Sequence, residues 1–416
     1  MKVLLLSTYD IFQGAARATY RLHQGLQQMG VESWLWVHKK FSDDPSVLAP
    51  RSAPAMAIAQ MRARIDQFPL QLYPQRTAPY FSPQWLPDRL TQKIQALHPD
   101  VINVHWTQAG FMQLESLAKF QKPIILTLHD LWAITGGCHY TDGCDRYQTG
   151  CGQCPQLGSS AAGDLSSWIW QRKAKAWQNL DLTVVVPSQW VADCVQKSPL
   201  LQNYPLQIIP NGLDPTQYHP VDKTLAKQLL GIDPECQVIA FGALQASSDR
   251  RKGFHLLQPM LQKLSQTPWG ENIQLLIFGA SERPDSPKFP FPTRYLGHLN
   301  DDLSLRIVYS AANVMVVPSL QESFGQTASE SLACGTPVAA FNATGLKDIV
   351  EHQKNGYLAH PYEMEDLADG VSWILEDRER YQKLCDHARE KVEEEFTMEI
   401  QAFKYLQLYN AMSGSF

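Results

Sequence analysis

Short runs of Val, Leu and Ile recur along the chain, and each is followed by a longer stretch of helical character. Near-continuous apolar strands that alternate with helices are typical of a parallel sheet covered on both faces. The first series is KVLLLS, ESWLWV, DVINVHW, PIILTLHD, LTVVVPS and LQIIPNG, and the second is QVIAFGA, IQLLIFGA, TRYLGHL, NVMVVPS and TPVAAFN. Because the pattern restarts near residue 236, it predicts an α/β fold with two doubly wound domains in tandem.

The length of 416 residues agrees with two domains, because a single hydrophobic core rarely grows beyond about 250 to 300 residues. The stretch PNGLDPTQYHPVDKTL is rich in Pro, Gly and Asp, as exposed linkers are. We therefore predict a first domain over 1–218 and a second over 219–395. The last segment, 396–416, is predicted to be a helix that crosses back to pack on the first domain.

The composition excludes one class of partner. Hydrophobic residues make up 44% and charged residues 19% of the chain, and the net charge is -5. Because no global basic field attracts polyanions, we expect no nucleic acid partner. No segment reaches about 18 uninterrupted apolar residues, and the apolar start of the chain is typical of a first strand, so we expect a cytoplasmic protein.

Residues 55–76, AMAIAQMRARIDQFPLQLYPQR, mix Arg62, Arg64 and Arg76 with Met, Phe and Leu. A segment of this kind can lie on an anionic membrane surface. That interpretation predicts peripheral contact with the inner face of the plasma membrane. Ordinary helix packing explains the same composition.

The stretch VPSLQESFGQTASESLACGTPVAAF, residues 317–341, places a helix directly after a buried strand. Ser323 is predicted to be the N-cap, and Gly335 with Pro337 ends the helix. Backbone N–H groups over 324–327 (Phe324, Gly325, Gln326 and Thr327), together with the helix dipole, favour a phosphate there. Gly325 lets a large anion approach the backbone closely.

Two carboxylates accompany this predicted anion site, Glu322 and Glu330. They repel a ligand that is only a phosphate. They suit a diphosphate flanked by two sugars, because they can accept hydrogen bonds from the sugar hydroxyls. At 1.5 Å per residue the two lie roughly 9 to 12 Å apart along a helix. The alternative is one helix-terminal charge and one solvated glutamate.

The segment PSLQESFGQTASESLACGTPVAAFNATGLKDIVEHQKNGYL is similar to the signature region of the GT-B fold retaining glycosyltransferases of family 4. VPSQWVADCV, IIPNGLD, DRRKGFHLL and YLGHLNDDLSLRIVYSAANVMVVPS match that family in the same order, over nearly the whole chain. The resemblance implies two Rossmann-like domains facing across a cleft. It also implies transfer of a sugar from a nucleotide diphosphate donor with retained configuration, without a divalent metal at the donor.

The resemblance implies roles for the residues of the signature. Glu330 would hold the ribose hydroxyls, and Glu322 would hold the donor sugar near its 3-hydroxyl. The amides of Phe324, Gly325 and Gln326 would meet the sugar and the diphosphate.

Basic residues after the first strand of the second domain would neutralise the leaving diphosphate. Ala243 stands where the family carries an arginine. Lys252 remains, and either Arg250 or Arg251 replaces the missing guanidinium. A solvated basic loop is the alternative. Base selection is expected from backbone groups around 296–298, which include His298.

In the first domain, Gly14 and two alanines lie between the first strand and a helix without a G-x-G-x-x-G motif, so a dinucleotide site is poorly supported. The family's glycine-rich loop implies roles here for Gly14 and Arg17. His129 ends a strand and, by resemblance, lies near the 6-hydroxyl of the donor sugar. His105 and Trp106 end the preceding strand, and Trp106 would stack on an acceptor ring. For each of these residues, a purely structural role is the alternative.

Four cysteines lie in the loop 136–155 as C-x5-C-x6-C-x2-C: Cys138, Cys144, Cys151 and Cys154. In a reducing compartment this cluster favours a metal or free thiols over disulfides, and the final C-x2-C is a common half of a tetrahedral zinc site. We expect a structural zinc in preference to an iron–sulfur cluster, shaping the acceptor side. Disulfides and free thiols remain alternatives.

Taken together, these features predict a retaining hexosyltransferase that acts in polysaccharide or glycoconjugate biosynthesis. The donor is a UDP-, GDP- or ADP-sugar, and the acceptor is a saccharide or a lipid-linked sugar. No motif demands a carboxylate nucleophile, so a front-face reaction is favoured, and no cofactor is required for transfer. The alternatives are a 2-epimerase or a phosphorolytic enzyme of the same fold, or a non-catalytic sugar-nucleotide-binding assembly protein.

Overall fold

The computed structural model describes residues 1–77, 80–243, 249–267, 272–284, 286–299 and 301–413. The chain forms two compact units, one of Met1–Gly212 with Met398–Phe416 and one of Leu213–Thr397. In the parts of the chain that are described, no helix combines the length and the apolar character needed to cross a membrane.

The first unit contains a seven-stranded sheet in which every paired strand is parallel. Its order is β3-β2-β1-β4-β5-β6-β7, so the direction of winding reverses between β1 and β4. The strands are β1 (Lys2–Tyr9), β2 (Glu32–Lys39), β3 (Val47–Leu48), β4 (Val101–Val104), β5 (Ile124–Thr127), β6 (Leu182–Val186) and β7 (Leu206–Ile208). All six predicted strands are confirmed, and the two-residue β3 is an additional one.

Helices cover this sheet because the strands are apolar on both faces, with every residue of β4, β5 and β6 buried. They are α1 (Gly14–Gln28), α2 (Ala53–Asp66), α3 (Leu90–Leu97), α4 (Leu165–Ala176) and α5 (Gln189–Gln196). The C-terminal helix α13 (Met398–Ser413) belongs to the same unit and packs on α1.

A buried polar network fixes α13 to the sheet. The amide of Asn103 donates to the hydroxyl of Tyr409 at 2.8 Å, and Thr127 Oγ1 donates to Asn103 Oδ1 at 2.8 Å. The hydroxyl of Tyr405 lies 3.1 Å from Thr127 Oγ1. Because buried polar groups need partners, these bonds define how the helix sits on β4 and β5.

The second unit contains a six-stranded parallel sheet of order β10-β9-β8-β11-β12-β13, with its reversal between β8 and β11. The strands are β8 (Gln237–Gly242), β9 (Ile273–Phe278), β10 (Thr293–Tyr295), β11 (Val314–Val317), β12 (Val338–Phe341) and β13 (Gly356–Ala359). The helices are α6 (Lys223–Leu229), α7 (Phe254–Leu264), α8 (Asp302–Ala311), α9 (Gln326–Ala333), α10 (Leu346–Ile349), α11 (Met364–Glu376) and α12 (Arg378–Glu395). The five predicted strands are confirmed, and β13 is additional.

The units divide after Gly212, whereas the sequence placed the boundary at residue 218. The intervening residues pack into the second unit. Leu213 donates its N–H to Phe396 O at 2.9 Å, and Tyr218 is fully buried with its hydroxyl 2.8 Å from Asp302 Oδ1. Residues 213–218 therefore have the composition of a linker, although Leu213 and Tyr218 belong to the core of the second unit.

The loops that follow β8 and β11 are held together by backbone contacts. The N–H of Leu320 donates to Arg251 O at 2.7 Å. Gly253 has φ +74°, and a Cβ at that position would lie 1.9 Å from the carbonyl oxygen of Pro318. Only glycine allows this approach, which brings the 249–253 segment against the end of β11.

We expect Gly253→Ala to destabilise the second unit strongly. Gly231 has a similar φ of +63°, and its nearest neighbours are the flexible tips of Arg294 at 3.4 Å, so Gly231→Ala is the matched control. The control should cost about 1–2 kcal/mol for the left-handed backbone. Gly253→Ala should cost about 1–3 kcal/mol more because of the clash, as measured by chemical unfolding. Equal losses in the two variants would contradict the packing argument.

Candidate active site

Glu322 lies in the loop between β11 and α9 and is 7% exposed. Lys252 Nζ donates to its Oε1 at 2.6 Å, Ser319 Oγ donates to the same oxygen at 2.9 Å, and Arg251 lies 3.6 Å from Oε2. The backbone N–H of Glu322 donates to Thr344 Oγ1 at 3.0 Å. The carboxylate therefore sits at the reversal point of the sheet, where ligands of doubly wound folds bind.

The ionisation of Glu322 is set by its neighbours. Burial alone would raise the pKa of this carboxyl, but the charges of Lys252 and Arg251 outweigh burial and hold the pKa below its ordinary value. Glu322 is therefore an anion at neutral pH. Removing Lys252 would leave a buried carboxylate with weaker compensation.

The helix that follows starts later than the sequence predicted. The N-cap of α9 is Gly325, at φ +112°, and not Ser323. A Cβ at Gly325 would lie 2.8 Å from Leu346 Cδ2, so glycine is required both for the backbone conformation and for packing. The first intrahelical bonds run from the N–H groups of Ala328 and Ser329 to Gly325 O.

The side chain of Phe324 is buried and packs edge-on against Phe396, with ring centroids 5.5 Å apart. Any contact of Phe324 with a ligand would therefore use its backbone amide, as the sequence predicted for this residue. Gln326 and Thr327 form the first turn of α9. The dipole of this eight-residue helix favours an anion at that end.

Glu330 lies inside α9 and is 4% exposed. The hydroxyl of Tyr309, which is fully buried, donates to Glu330 Oε2 at 3.0 Å. Burial and the charge of Glu330 raise the pKa of Tyr309 well above its usual value, so the tyrosine remains a donor. The alternative of a solvated helix-face glutamate is wrong, because the side chain is enclosed. Tyr309 was missed because nothing in the local sequence links residues 21 positions apart.

The structure distinguishes the two candidate arginines. Arg250 is exposed, whereas Arg251 pairs with Asp249 at 2.8 Å and donates to Gln321 O at 2.8 Å. Arg251 is therefore the guanidinium beside Glu322. Ala243 is buried, and its carbonyl oxygen packs directly against Gly279. The ion pair of Asp249 with Arg251 was not predicted, although the position of Asp249 next to two arginines in the sequence could have indicated it.

A second cluster lies in the first unit, where β4 and β5 end side by side. Nδ1 of His105 and Nε2 of His129 are 2.9 Å apart, and the rings stack with centroids at 5.2 Å. Burial lowers the pKa of His129 to about 4, and burial together with the charge of His129 lowers the pKa of His105 well below its ordinary value. Both imidazoles are neutral at physiological pH. Nε2 of His105 is buried and has no hydrogen-bond partner among the described residues.

Trp106 is tied into a polar network that the sequence did not predict. Its indole N–H donates to Asp130 Oδ2 at 3.0 Å, and its ring stacks on Tyr9 with centroids at 6.2 Å. His139 Nδ1 lies 2.6 Å from the same oxygen of Asp130, and His139 Nε2 lies 2.8 Å from Ser82 Oγ. In the sequence, only the position of Asp130 next to His129 pointed to this network. His139 gave no such indication, because it lies among the cysteines of the loop 136–155.

Three other predicted residues are less closely joined to these clusters. Gly14 is the first residue of α1, and the residue with positive φ in the preceding turn is Gln13, at φ +74°. Arg17 is half-buried one turn further on. His298 is exposed just after β10, and the described contacts do not join it to either carboxylate.

The four loop cysteines line one pocket, although no three of their sulfurs lie within 4.8 Å of one another. Within the described ranges, one group of three possible metal-ligand atoms lies within that distance. It consists of the largely exposed residues His360, Glu363 and Asp366.

Two consecutive parts of the chain match known families. Residues 12–217 match the family described as Glycosyltransferase Family 4, and residues 244–391 match Glycosyl transferases group 1. Together with two doubly wound sheets whose candidate residues lie at the reversal points, these matches define the class of protein. The chain belongs to the family 4, or group 1, glycosyltransferases and has the GT-B fold.

Curated and solved proteins agree with this assignment. The chain is 31% identical over 192 residues to a D-inositol 3-phosphate glycosyltransferase of Nocardia farcinica, covering 43% of this chain and 42% of that protein. It matches about half the length of the curated relatives of this kind. Sucrose-phosphate synthase from Thermosynechococcus elongatus has a TM-score of 0.70 at 21% identity over 100% of both chains. Anabaena HepE, solved with UDP-glucose, has a TM-score of 0.66 at 16% identity over 99% and 100%.

The buried neutral histidines predict acid sensitivity of the first unit. His129 and the fully buried His23 both have a pKa of about 4 in the folded chain, against 6.5 ordinarily. In the unfolded chain these histidines bind protons as the pH falls below about 6.5. In the folded chain they bind protons only below about pH 4. The free energy of unfolding should fall across this window, by up to about 3 kcal/mol per histidine.

Chemical unfolding at pH 7 and pH 5 would measure the loss. His129→Gln should reduce the difference between the two pH values, whereas His298→Gln, at an exposed position, should leave it unchanged. An unfolding free energy that is equal at both pH values would contradict the expectation.

Proposed function

We propose that this protein transfers a sugar from a nucleoside diphosphate donor to a hydroxyl group of a saccharide or lipid-linked acceptor, with retention of configuration. The observation that carries the proposal is the pair of half-buried Lys252 and buried Glu322, with Nζ 2.6 Å from Oε1, beside the glycine-capped start of α9. Cations, a helix N-terminus and carboxylates at one reversal point suit a ligand that is both an anion and a polyol.

The diphosphate binds at the start of α9. The dipole of α9 and the ammonium of Lys252 stabilise its negative charge, and Arg251 adds a guanidinium next to Glu322. Gly325 has no side chain, so the backbone amides over 324–326 approach the phosphate oxygens closely.

The two carboxylates bind the sugars at either end of the diphosphate. Glu322 is held as an anion by Lys252 and accepts from hydroxyls of the donor sugar near position 3. Glu330 is held by Tyr309 at 3.0 Å and accepts from the ribose hydroxyls. A carboxylate has about four lone-pair sites, so each can keep its protein donor and accept further bonds.

The reaction proceeds on the face of the leaving group. The bond between the anomeric carbon and the diphosphate oxygen breaks as the acceptor oxygen bonds to that carbon on the same side. The acceptor proton passes to the departing diphosphate oxygen. Lys252 and the start of α9 stabilise the charge that develops on that oxygen, which is where electrostatic catalysis is most effective. No divalent metal is needed at the donor.

The first unit serves the acceptor and the donor sugar with neutral groups. His129 uses Nε2 for its bond to His105, so Nδ1 is the ring nitrogen that can meet the 6-hydroxyl of the donor sugar. Trp106 is fixed by Asp130 and stacks on an acceptor ring. After β1, Gly14 serves the donor diphosphate and Arg17 the acceptor.

Residues 51–77 suit contact with an anionic membrane, where lipid-linked acceptors occur. Large apolar side chains are exposed here: Met56 47%, Ile58 52%, Met61 53%, Ile65 38%, Phe68 61% and Leu72 79%. The exposed charges of the segment are the arginines 51, 64 and 76, and its one acidic residue, Asp66, is buried. Exposed apolar groups with only positive charge are complementary to anionic headgroups.

Donor binding is tested by thermal shift and calorimetry with UDP-, GDP- and ADP-hexoses, UDP-glucose first because a protein of similar fold was solved with it. One nucleotide class should raise the melting temperature. Glu330→Gln, which keeps the shape, should weaken binding about 10- to 100-fold through lost charged hydrogen bonds. Glu379→Gln, on an exposed helix face, should change nothing.

Turnover with alkyl glycosides and lipid-linked sugars would be followed by nucleoside diphosphate release, with the anomeric configuration read by NMR. Glu322→Gln should lower kcat/KM about 10²- to 10³-fold. Inverted product, or sugar epimerised without acceptor, would overturn the proposal. Tight donor binding with no release of diphosphate would favour the non-catalytic assembly protein.

Membrane contact is tested by vesicle flotation. The full chain should float with vesicles containing phosphatidylglycerol, less with pure phosphatidylcholine, and less at high salt. Replacing Ile58, Met61, Phe68 and Leu72 by Ser should abolish flotation. Leu225→Ser with Leu229→Ser, at exposed apolar positions of α6, is the matched control. Equal flotation of all three proteins would argue against this surface.

A further inference from the structure

The loop 136–155 gathers its four cysteines around one pocket. Cys138, Cys144, Cys151 and Cys154 all line a pocket with about 340 Å³ of empty space, part of it open to solvent. Cys154 is buried and the other three are half-buried. The cysteines span 17 residues of sequence and would face different directions in a regular element, so the fold of the loop itself brings them together.

The loop is built to bring its two ends into close contact. A Cβ at Gly136 would lie 2.2 Å from Ser166 O and 2.9 Å from Cys151 Cβ, and one at Gly152 would lie 2.4 Å from Ala162 O. Arg146 donates to the carbonyl oxygens of Gly152 and Gln153, at 3.0 and 2.9 Å. The backbone between the two cysteines of the C-x2-C pair is thereby fixed.

One thiol already has a backbone donor. The N–H of Gly136 donates to Cys151 Sγ at 3.2 Å. Backbone N–H groups that point at sulfur stabilise thiolate ligands and tune the centres that those thiolates hold. The N–H of Gly136 therefore favours the thiolate form of Cys151, although burial raises the pKa of the free thiol.

A buried lysine, Lys173, lies next to the pocket. Lys173 is fully buried, and its Nζ donates to the carbonyl oxygens of Thr135, at 2.9 Å, and Trp132. Among the described residues no carboxylate forms an ion pair with it. Thr135 also lines the pocket. Burial lowers the pKa of Lys173 to about 7, and the negative charges that would favour its ammonium form are those of Cys151, Cys138 and Asp130. A centre of thiolates in this pocket would therefore stabilise the ammonium.

We propose that Cys138, Cys144, Cys151 and Cys154 bind one structural zinc ion as thiolates. Each thiol releases its proton to solvent on binding. The ion and four thiolates together carry net negative charge, which compensates Lys173. Zn–S distances of about 2.3 Å place the four sulfurs about 3.8 Å apart. The thiols must therefore move closer together on binding. Most of the loop can adjust, because its only regular elements are the short helices Arg146–Gln148 and Pro155–Leu157.

The ion would also position the acceptor side of the site, a consequence that rests on the proposed function. His139 follows Cys138 directly and holds Asp130, which holds Trp106. The carbonyl oxygen of His139 accepts from the N–H of Leu131 at 2.9 Å, two residues after His129. Loss of the metal should therefore raise KM for the acceptor more than it lowers kcat.

Metal analysis of the full chain, purified without chelator or metal affinity resin, tests the proposal directly. We expect about one zinc per chain, falling to near zero in Cys151→Ser with Cys154→Ser. Cys236→Ser, at a half-buried cysteine of the second unit, should keep its zinc. Cobalt substituted for zinc in the wild-type chain should give the intense visible and thiolate charge-transfer bands of a tetrahedral sulfur site, a readout that does not depend on the variants folding or on activity.

Three results would overturn the proposal. Absence of metal from the wild-type chain, together with no cobalt spectrum, would leave the thiols free. Alkylation under denaturing, non-reducing conditions that modifies four cysteines fewer than expected would show disulfides. Iron and acid-labile sulfide in equal amounts would show an iron–sulfur cluster. Each outcome is independent of donor binding, so it can be told apart from a failure of the proposed function.

Discussion

The contact between Lys252 and Glu322 is the interaction on which the second unit's site depends. Two charged groups 2.6 Å apart in a buried position are stable only when both are supplied with further partners. Ser319 and Arg251 provide them for the carboxylate, and Thr344 accepts from the backbone N–H of Glu322 and fixes its position. This arrangement exists because β8 and β11 are neighbours at the reversal point of the sheet, so the loops that follow them must meet.

Glycine decides whether those loops can meet. At Gly253 the backbone lies against the carbonyl of Pro318, and at Gly325 it adopts a conformation and a packing that a Cβ would prevent. In the proposed function Gly325 also lets the backbone amides over 324–326 approach the diphosphate. The structural requirement and the proposed binding role thus fall on the same glycine.

The two units offer different chemistry. The second combines cations, carboxylates and a helix dipole, which suits a charged leaving group. The first offers imidazoles kept neutral by burial and an indole fixed by Asp130, which suits hydroxyl groups. The cysteine loop supports this second set, because His139 connects it to Asp130.

The sequence by itself determined the fold class and eleven of the strands, because apolar runs of strand length between helical segments leave few other arrangements. It also singled out Glu322, Glu330, Lys252 and the cysteine loop as candidates, since these lie where a strand is followed by a helix or in a spaced motif. β3 and β13 were missed because β3 is only two residues long and β13, GYLA, has no run of branched apolar residues.

Only the tertiary structure decided which residues complete each site. It selected Arg251 over Arg250, moved the helix start from Ser323 to Gly325, and joined Tyr309 to Glu330 and His139 to Asp130. Tyr218 likewise became core although its surroundings resemble a linker. In each case the deciding quantity is burial or a contact between distant segments, which local composition and spacing do not encode.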